Sequence, residues 1–183
     1  MNRRKWKYVG GILLLLYWGM VLVNLTLISR VRTDAPRMRL ELFWCIKEAW
    51  MNHNADDWFF VVGNIMYFIP LGMILPLCFD GMQRWWRTTL MGLAISTGIE
   101  TTQLVLHLGL FEFDDMFHNT LGTLMGYGVF VLFIRLIKKE WIGTRSQRAM
   151  MAGVWILVAV ILIVALCMGQ PVFDQILQVS SYL

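Results

Sequence analysis

Apolar residues in this chain fall into five long runs, and nearly all of the charge sits in the segments between them. The runs cover positions 8–28, 59–79, 88–108, 116–137 and 150–169, about 20 residues each. As helices rising 1.5 Å per residue, each is long enough for a hydrocarbon core of roughly 30 Å. The pattern predicts an all-α, polytopic membrane protein of five transmembrane helices, a single domain over 1–183 with no room for a soluble one.

Between the first and second runs lies the longest polar segment, 29–58. It mixes Arg30, Arg32, Arg37 and Arg39 with Leu40, Leu42, Phe43, Trp44, Ile46 and Trp50. Aromatic and aliphatic groups interleaved with charge predict one or two helices lying at the membrane interface, where Trp prefers the headgroup level. The short loop carrying Arg84, Trp85, Trp86 and Arg87 reads as a second interfacial anchor. The N-terminal Arg3, Arg4, Lys5 and Lys7 before an apolar run look like a secretory leader. No small-x-small cleavage pattern follows, so an uncleaved first span is expected.

The second run contains Asn64, Pro70 and Pro76. Pro70 has no N–H for the carbonyl of Met66, so this helix is expected to kink or open midway. Ser96 and Gly98 in the third run, and Gly122-x-x-x-Gly126 in the fourth, predict faces where neighbouring helices approach closely. The GxxxG pattern is expected to pack within the chain rather than to form a dimer. The fifth run is plain aliphatic sequence. The tail at 170–183 holds no Lys or Arg and is expected to lie along the surface.

Composition sharpens this picture. Hydrophobic residues make up 58% of the 183, and the mean hydropathy is +0.60, above the range of ordinary soluble domains. The net charge of +4 and pI near 9.1 would suit nucleic acid, yet the Lys and Arg residues are sorted by loop instead. With five spans, 11 of the 16 fall on the side of the N-terminus and 5 on the other. That asymmetry predicts a cytoplasmic N-terminus, an extracytoplasmic 29–58 loop and an extracytoplasmic C-terminus, and it excludes nucleic acid as the partner. The three cysteines, Cys45, Cys78 and Cys167, show no metal-ligand spacing and read as inert thiols. A Cys45–Cys167 disulfide requires that both face an oxidising compartment.

The remaining polar residues demand an account. Glu100 and Gln103 are three apart and share a helix face; Asp115 and Asn119 are four apart and share another. In the expected orientation Asn64, Gln103 and Asn119 lie roughly 5–8 Å inside the outer boundary, with Glu100 roughly 12 Å in. Three helices thus aim amides and carboxylates at one outward-opening pocket, closed above by Glu112, Asp114 and Asp115. An ionisable group at such depth marks a functional site by default.

The residues Asn64-x-x-x-Phe68-x-Pro70-Leu71-Gly72, Ile99-Glu100-x-x-Gln103 and Phe113-x-Asp115-x-x-x-Asn119-Thr120-x-Gly122-x-x-x-Gly126 resemble the VanZ-like family of bacterial membrane proteins. The resemblance covers about 58–133. It implies location in the bacterial cytoplasmic membrane and association with glycopeptide (teicoplanin) resistance. Many relatives carry a basic residue in the loop before the aspartates, where this chain has Gly109-Leu110-Phe111-Glu112.

Three readings of the polar cluster follow. The first is a non-enzymatic pocket made of Asn64, Pro70, Glu100, Gln103, Asp114, Asp115, His118 and Asn119. It would bind or shield a lipophilic glycopeptide or a lipid-linked cell-wall precursor among membrane lipids. The second is a membrane enzyme acting on a lipid phosphate or glycan, with Glu100 or Asp115 as general base and His118 as proton carrier. In a variant of it, Glu112, Asp114, Asp115 and His118 hold a divalent cation, although no ligand pattern matches and no cofactor motif is present. The third is interhelical glue, with Glu100 bonded to Asn119 or Gln103 to Asn64, at about 0.6–2 kcal/mol per bond. His107 reads as a packing residue and His53 as a loop residue.

Overall fold

In the computed structural model the described residues are 3–52 and 55–138. The expected fifth span, the tail after it, Cys167, His53, and the basic residues Lys139, Arg145 and Arg148 lie outside them. Helix α1 covers Arg3–Val23 and is continued by one wider, π-type turn over Asn24–Ile28. Next come strand β1 (Arg37–Arg39), helix α2 (Trp44–Asn52) and helix α3 (Ala55–Cys78). Helix α4 (Trp85–Leu106), strand β2 (Leu110–Glu112) and helix α5 (Phe113–Lys138) complete the order.

Among the described residues three stretches are long and apolar enough to cross a membrane: Tyr8–Ile28, Trp58–Cys78 and Phe113–Ile134. They match the first, second and fourth expected spans. Helix α4 has the length, at 22 residues, but carries Glu100, Gln103 and a series of threonines. Its exposed flank is made compatible with an apolar setting by back-bonding. The hydroxyls of Thr97, Thr101 and Thr102 donate to the carbonyls of Leu93, Thr97 and Gly98 at 2.7–2.8 Å.

Helix directions alternate. Tyr8 meets Phe79 while Trp18 Nε1 donates to the Tyr67 carbonyl, so α1 runs antiparallel to α3. Helices α3 and α5 run parallel in nearly direct backbone contact. A Cβ on Gly122 would collide with the Ile65 carbonyl, one on Gly126 with the Ile69 carbonyl, and one on Gly72 with the Thr123 carbonyl. The Gly122-x-x-x-Gly126 face is therefore used within the chain, as its sequence suggests. Gly98 is not: it is exposed with nothing near its missing side chain, and Gly92 against Thr123 takes that role.

Helix α3 runs as one helix through Pro70 and Pro76. The fold is not purely helical, because β1 and β2 form a two-stranded parallel ladder in register Arg37↔Leu110, Met38↔Phe111, Arg39↔Glu112. The ladder straps the 29–43 segment onto the α4–α5 turn, helped by the Thr33 N–H donating to the His107 carbonyl at 2.8 Å. That turn is sharp because His107 (φ 56°) ends α4 in the left-handed region and Gly109 (φ 125°) follows. Helix α2 falls within the loop expected to hold one or two helices, with Ala49 buried and Trp50 and Met51 exposed.

Candidate functional site

Alternating direction brings the C-terminal ends of α1 and α4 to the same end of the bundle as the N-terminal ends of α3 and α5. The polar residues singled out from the sequence gather there, and all of them but His118 have a definite partner. On α4, the Gln103 amide donates to the Thr26 carbonyl at 2.8 Å. Thr26 lies in the last turn of its helix, where carbonyls lack intrahelical donors. One turn earlier, Glu100 Oε2 accepts the backbone N–H of Glu112 at 2.9 Å. Asn119 donates to Ser96 Oγ at 2.9 Å, joining α5 to α4. Asn64 donates to Asp115 Oδ1 at 2.5 Å, joining α3 to α5. The pairings expected for interhelical glue, Glu100 with Asn119 and Gln103 with Asn64, are thus replaced by others.

Asp114 is fully buried. Its carboxylate accepts the backbone N–H of Phe43 and that of Cys45, the latter at 2.9 Å. These are donors at the N-terminus of α2, so Asp114 caps that helix from another part of the chain. His118 is equally buried, and neither ring nitrogen has a partner among the described residues. Pro70 sits partly buried inside α3.

A cavity of about 210 Å³ opens beside this network, lined by Arg30, Trp44, Cys45, Glu48, Phe60, Asn64, Glu112 and Asp115. Of the expected site residues, Asn64 and Asp115 line it, with Glu112 from the closing loop. Glu100, Gln103, Asp114, His118, Asn119 and Pro70 do not; of these, Glu100 and Asp114 accept backbone N–H groups of the lining residues Glu112 and Cys45. Sequence reasoning had not put Arg30, Trp44, Glu48 and Phe60 at the site. For Arg30 a signal existed: several carboxylates at one end of a bundle call for a cation, and Arg30 is the first basic residue after the first span. In the fold it reaches the α4–α5 turn, since a Cβ on Gly109 would lie 3.7 Å from its Nη1.

The electrostatics follow from that lining. Burial pushes the Glu112 carboxyl up to about 7, and the charges of Asp115 and Asp114 add to the effect while Arg30 and Arg39 oppose it. Burial also pushes the Cys45 thiol up, reinforced by Glu112 and Asp115, so this thiol is a poor nucleophile. Glu48 is drawn toward Arg39 at 3.8 Å, and the Arg39 guanidinium lies 3.8 Å from the centre of the Trp44 ring. Among the described residues no three His, Cys, Asp or Glu side chains are grouped as metal ligands are.

The family model described as VanZ/LLP1 matches residues 7–135, well over half of the chain. The match extends the likeness back through the first span. No curated protein and no solved structure matches.

Proposed function

The chain belongs to the VanZ/LLP1 family, and on that premise we propose that the cavity beside Arg30, Asn64, Glu112 and Asp115 is an extracytoplasmic binding site. It takes part of a lipophilic glycopeptide or of a lipid-linked envelope component, and binding there lowers susceptibility to glycopeptides such as teicoplanin. The protein sits in the bacterial cytoplasmic membrane as a multi-pass chain with its N-terminus in the cytoplasm and its C-terminus outside. The positive-inside asymmetry supports this orientation.

The observation that carries the reading is the composition of the cavity. Charged and amide groups share it with the aromatic rings of Trp44 and Phe60, at the boundary where apolar helices give way to a charged loop. A site that must hold an amphiphile needs both kinds of wall. Its 210 Å³ is below the roughly 300–1,000 Å³ of a pocket for a whole small molecule. It therefore holds one group of a larger ligand whose remainder stays in the lipid. Arg30 brings a basic charge to the cavity from the first loop.

The test is susceptibility to teicoplanin in a sensitive bacterium expressing the wild-type chain, Arg30→Ala or Asp115→Asn at equal membrane levels. Protection by the wild type and its loss in both variants is the expected result. Full protection by variants with an altered cavity sinks the proposal. Labelling of Phe111→Cys in intact cells by an impermeant maleimide tests the orientation; labelling only after lysis overturns it.

One observation favours a second reading, a membrane enzyme acting on a lipid phosphate or glycan. Glu112 exchanges its proton close to neutrality inside the cavity, where a general acid or base belongs. Release of a product from labelled envelope lipids by the wild type but not by Glu112→Gln would establish it.

A further inference from the structure

We propose that the cavity is a receptor for an ammonium group. It takes the amine-bearing head of an amphiphile, with Glu112 and Asp115 as counterions, Trp44 and Phe60 as aromatic walls, and Arg30 meeting an anionic group next to the amine. The inference rests on the reading of this cavity as the binding site and adds the chemistry of what enters it.

Charge balance is the first support. The cavity is lined by three carboxylates, Glu48, Glu112 and Asp115, against the single guanidinium of Arg30. Glu48 already has Arg39. Among the described residues no direct ion pair joins Arg30 to Glu112 or Asp115, and Arg30 itself is exposed at the edge. Two further acids stand behind the wall, and both are satisfied by backbone: Asp114 by Phe43 and Cys45, Glu100 by Glu112. Those bonds fix both side chains in place and bring no cation to the cavity. The cavity thus concentrates negative potential that a small cation from outside relieves.

The walls give the second support. Quaternary and primary ammonium groups are held by aromatic faces, and more strongly where water is excluded. Trp44 already carries one cation, Arg39, and it stands between this cavity and an adjoining groove that Arg39 lines. The indole N–H of Trp44 is buried and has no partner among the described residues. Arg30, at the edge of the cavity, offers donors to a phosphate or carboxylate beside the amine. A volume of about 210 Å³ equals roughly seven water molecules at ~30 Å³ each, the scale of a headgroup.

The experiment uses the full chain purified in neutral detergent, offered phosphatidylethanolamine and phosphatidylglycerol of identical acyl chains in competition, with retained lipid read by native mass spectrometry. A second arm offers an amine-bearing glycopeptide and its N-acetylated form. An about tenfold preference for the amine is expected in at least one arm, the scale of one charge-assisted contact. Glu112→Gln with Asp115→Asn should reduce it to near unity, and Glu112→Asp should keep part of it. Preference in the lipid arm alone identifies a membrane lipid as the source; preference in the glycopeptide arm alone identifies the glycopeptide. No preference in either arm overturns the inference, as does a preference that survives the double variant. If the double variant fails to fold, Glu112→Gln alone carries the comparison, since its backbone bond to Glu100 is unchanged. Amine preference with unaltered teicoplanin susceptibility in cavity variants keeps this site and sinks the function proposed above.

Discussion

Glu100 and Glu112 are joined by a single bond, the Glu112 backbone N–H donating to Glu100 Oε2 at 2.9 Å. Through it the last turns of α4 hold the strand that lines the cavity, so Glu100 acts on the site by positioning Glu112. Glu100→Gln keeps an acceptor oxygen at that reach. It is expected to fold, melt within about 1 kcal/mol of the wild type and keep most of its protection. Glu100→Ala leaves a buried N–H unpaired and is expected to lose about 1–3 kcal/mol, with protection falling in step. A folded Glu100→Gln protein without protection would show that the charge itself is used at the site.

Asp114 works in the same way on α2. Phe43 stands in the left-handed region at φ 64°, a conformation that costs a non-glycine residue on the order of 1 kcal/mol. It is held there by the bond to Asp114 and by an edge-on contact with Phe117 at 5.2 Å between ring centres. Asp114→Ala removes the cap, a change of about 0.5–2 kcal/mol, and α2 should lift away from α3. Maleimide labelling of Cys45, in a chain with Cys78 and Cys167 replaced, is expected to speed up several-fold. Unchanged labelling would show that α2 stays docked without the cap.

Much of this arrangement was open to inspection in the sequence, and the parts that were not share a cause. Residues such as Asn64, Glu100 and Asn119 announce themselves because a polar group is conspicuous inside an apolar run, and helical spacing tells which face it takes. Gly122 and Gly126 announce themselves by their spacing. Asp114, one residue from Asp115, looks like a second pocket acid. Its real role depends on which backbone amides 69–71 residues away arrive beside it, and no local pattern carries that. Strands of three residues in β1 and β2 are too short to show alternation. Arg30 hides among five basic residues of one loop, and only the fold selects it.

The close approach of α3 and α5 gives a sharp test of packing. Alanine at Gly122 or Gly126 drives a methyl into the carbonyl of Ile65 or Ile69 and pushes the two backbones apart. Each change is expected to destabilise the detergent-solubilised protein by about 1–3 kcal/mol. Gly98→Ala meets nothing on the exposed side of α4 and gains helix propensity, so it should melt at or slightly above the wild type, by up to about 1 kcal/mol. Equal effects at all three positions would contradict the packing.

Glu112 makes stability depend on pH, and the sign can be worked out. Its carboxyl titrates near 7 in the folded chain against an ordinary value of 4.5, because burial and the Asp115 and Asp114 charges outweigh Arg30 and Arg39. Below about pH 4.5 it is protonated in both states, and above about pH 7 it is ionised in both. Between these limits the folded chain holds more of the proton, so stability falls as pH rises through the window. By pH 8 the ionised Glu112 costs the fold on the order of 1–3 kcal/mol. Glu112→Gln removes a charge that the site holds at a disadvantage. The variant is expected to melt higher than the wild type at pH 8 and no higher at pH 4.5. An ammonium ligand supplies the missing counterion, so it should raise the wild-type melting temperature most at pH 8 and lose this effect as Glu112 protonates. Melting curves of both proteins from pH 4.5 to 8, with and without an amine-bearing lipid, measure all of this. A variant stabilised equally across the range would mean that the Glu112 carboxyl titrates alike in the folded and unfolded chain, so that the cavity holds no disfavoured charge for a cation to relieve.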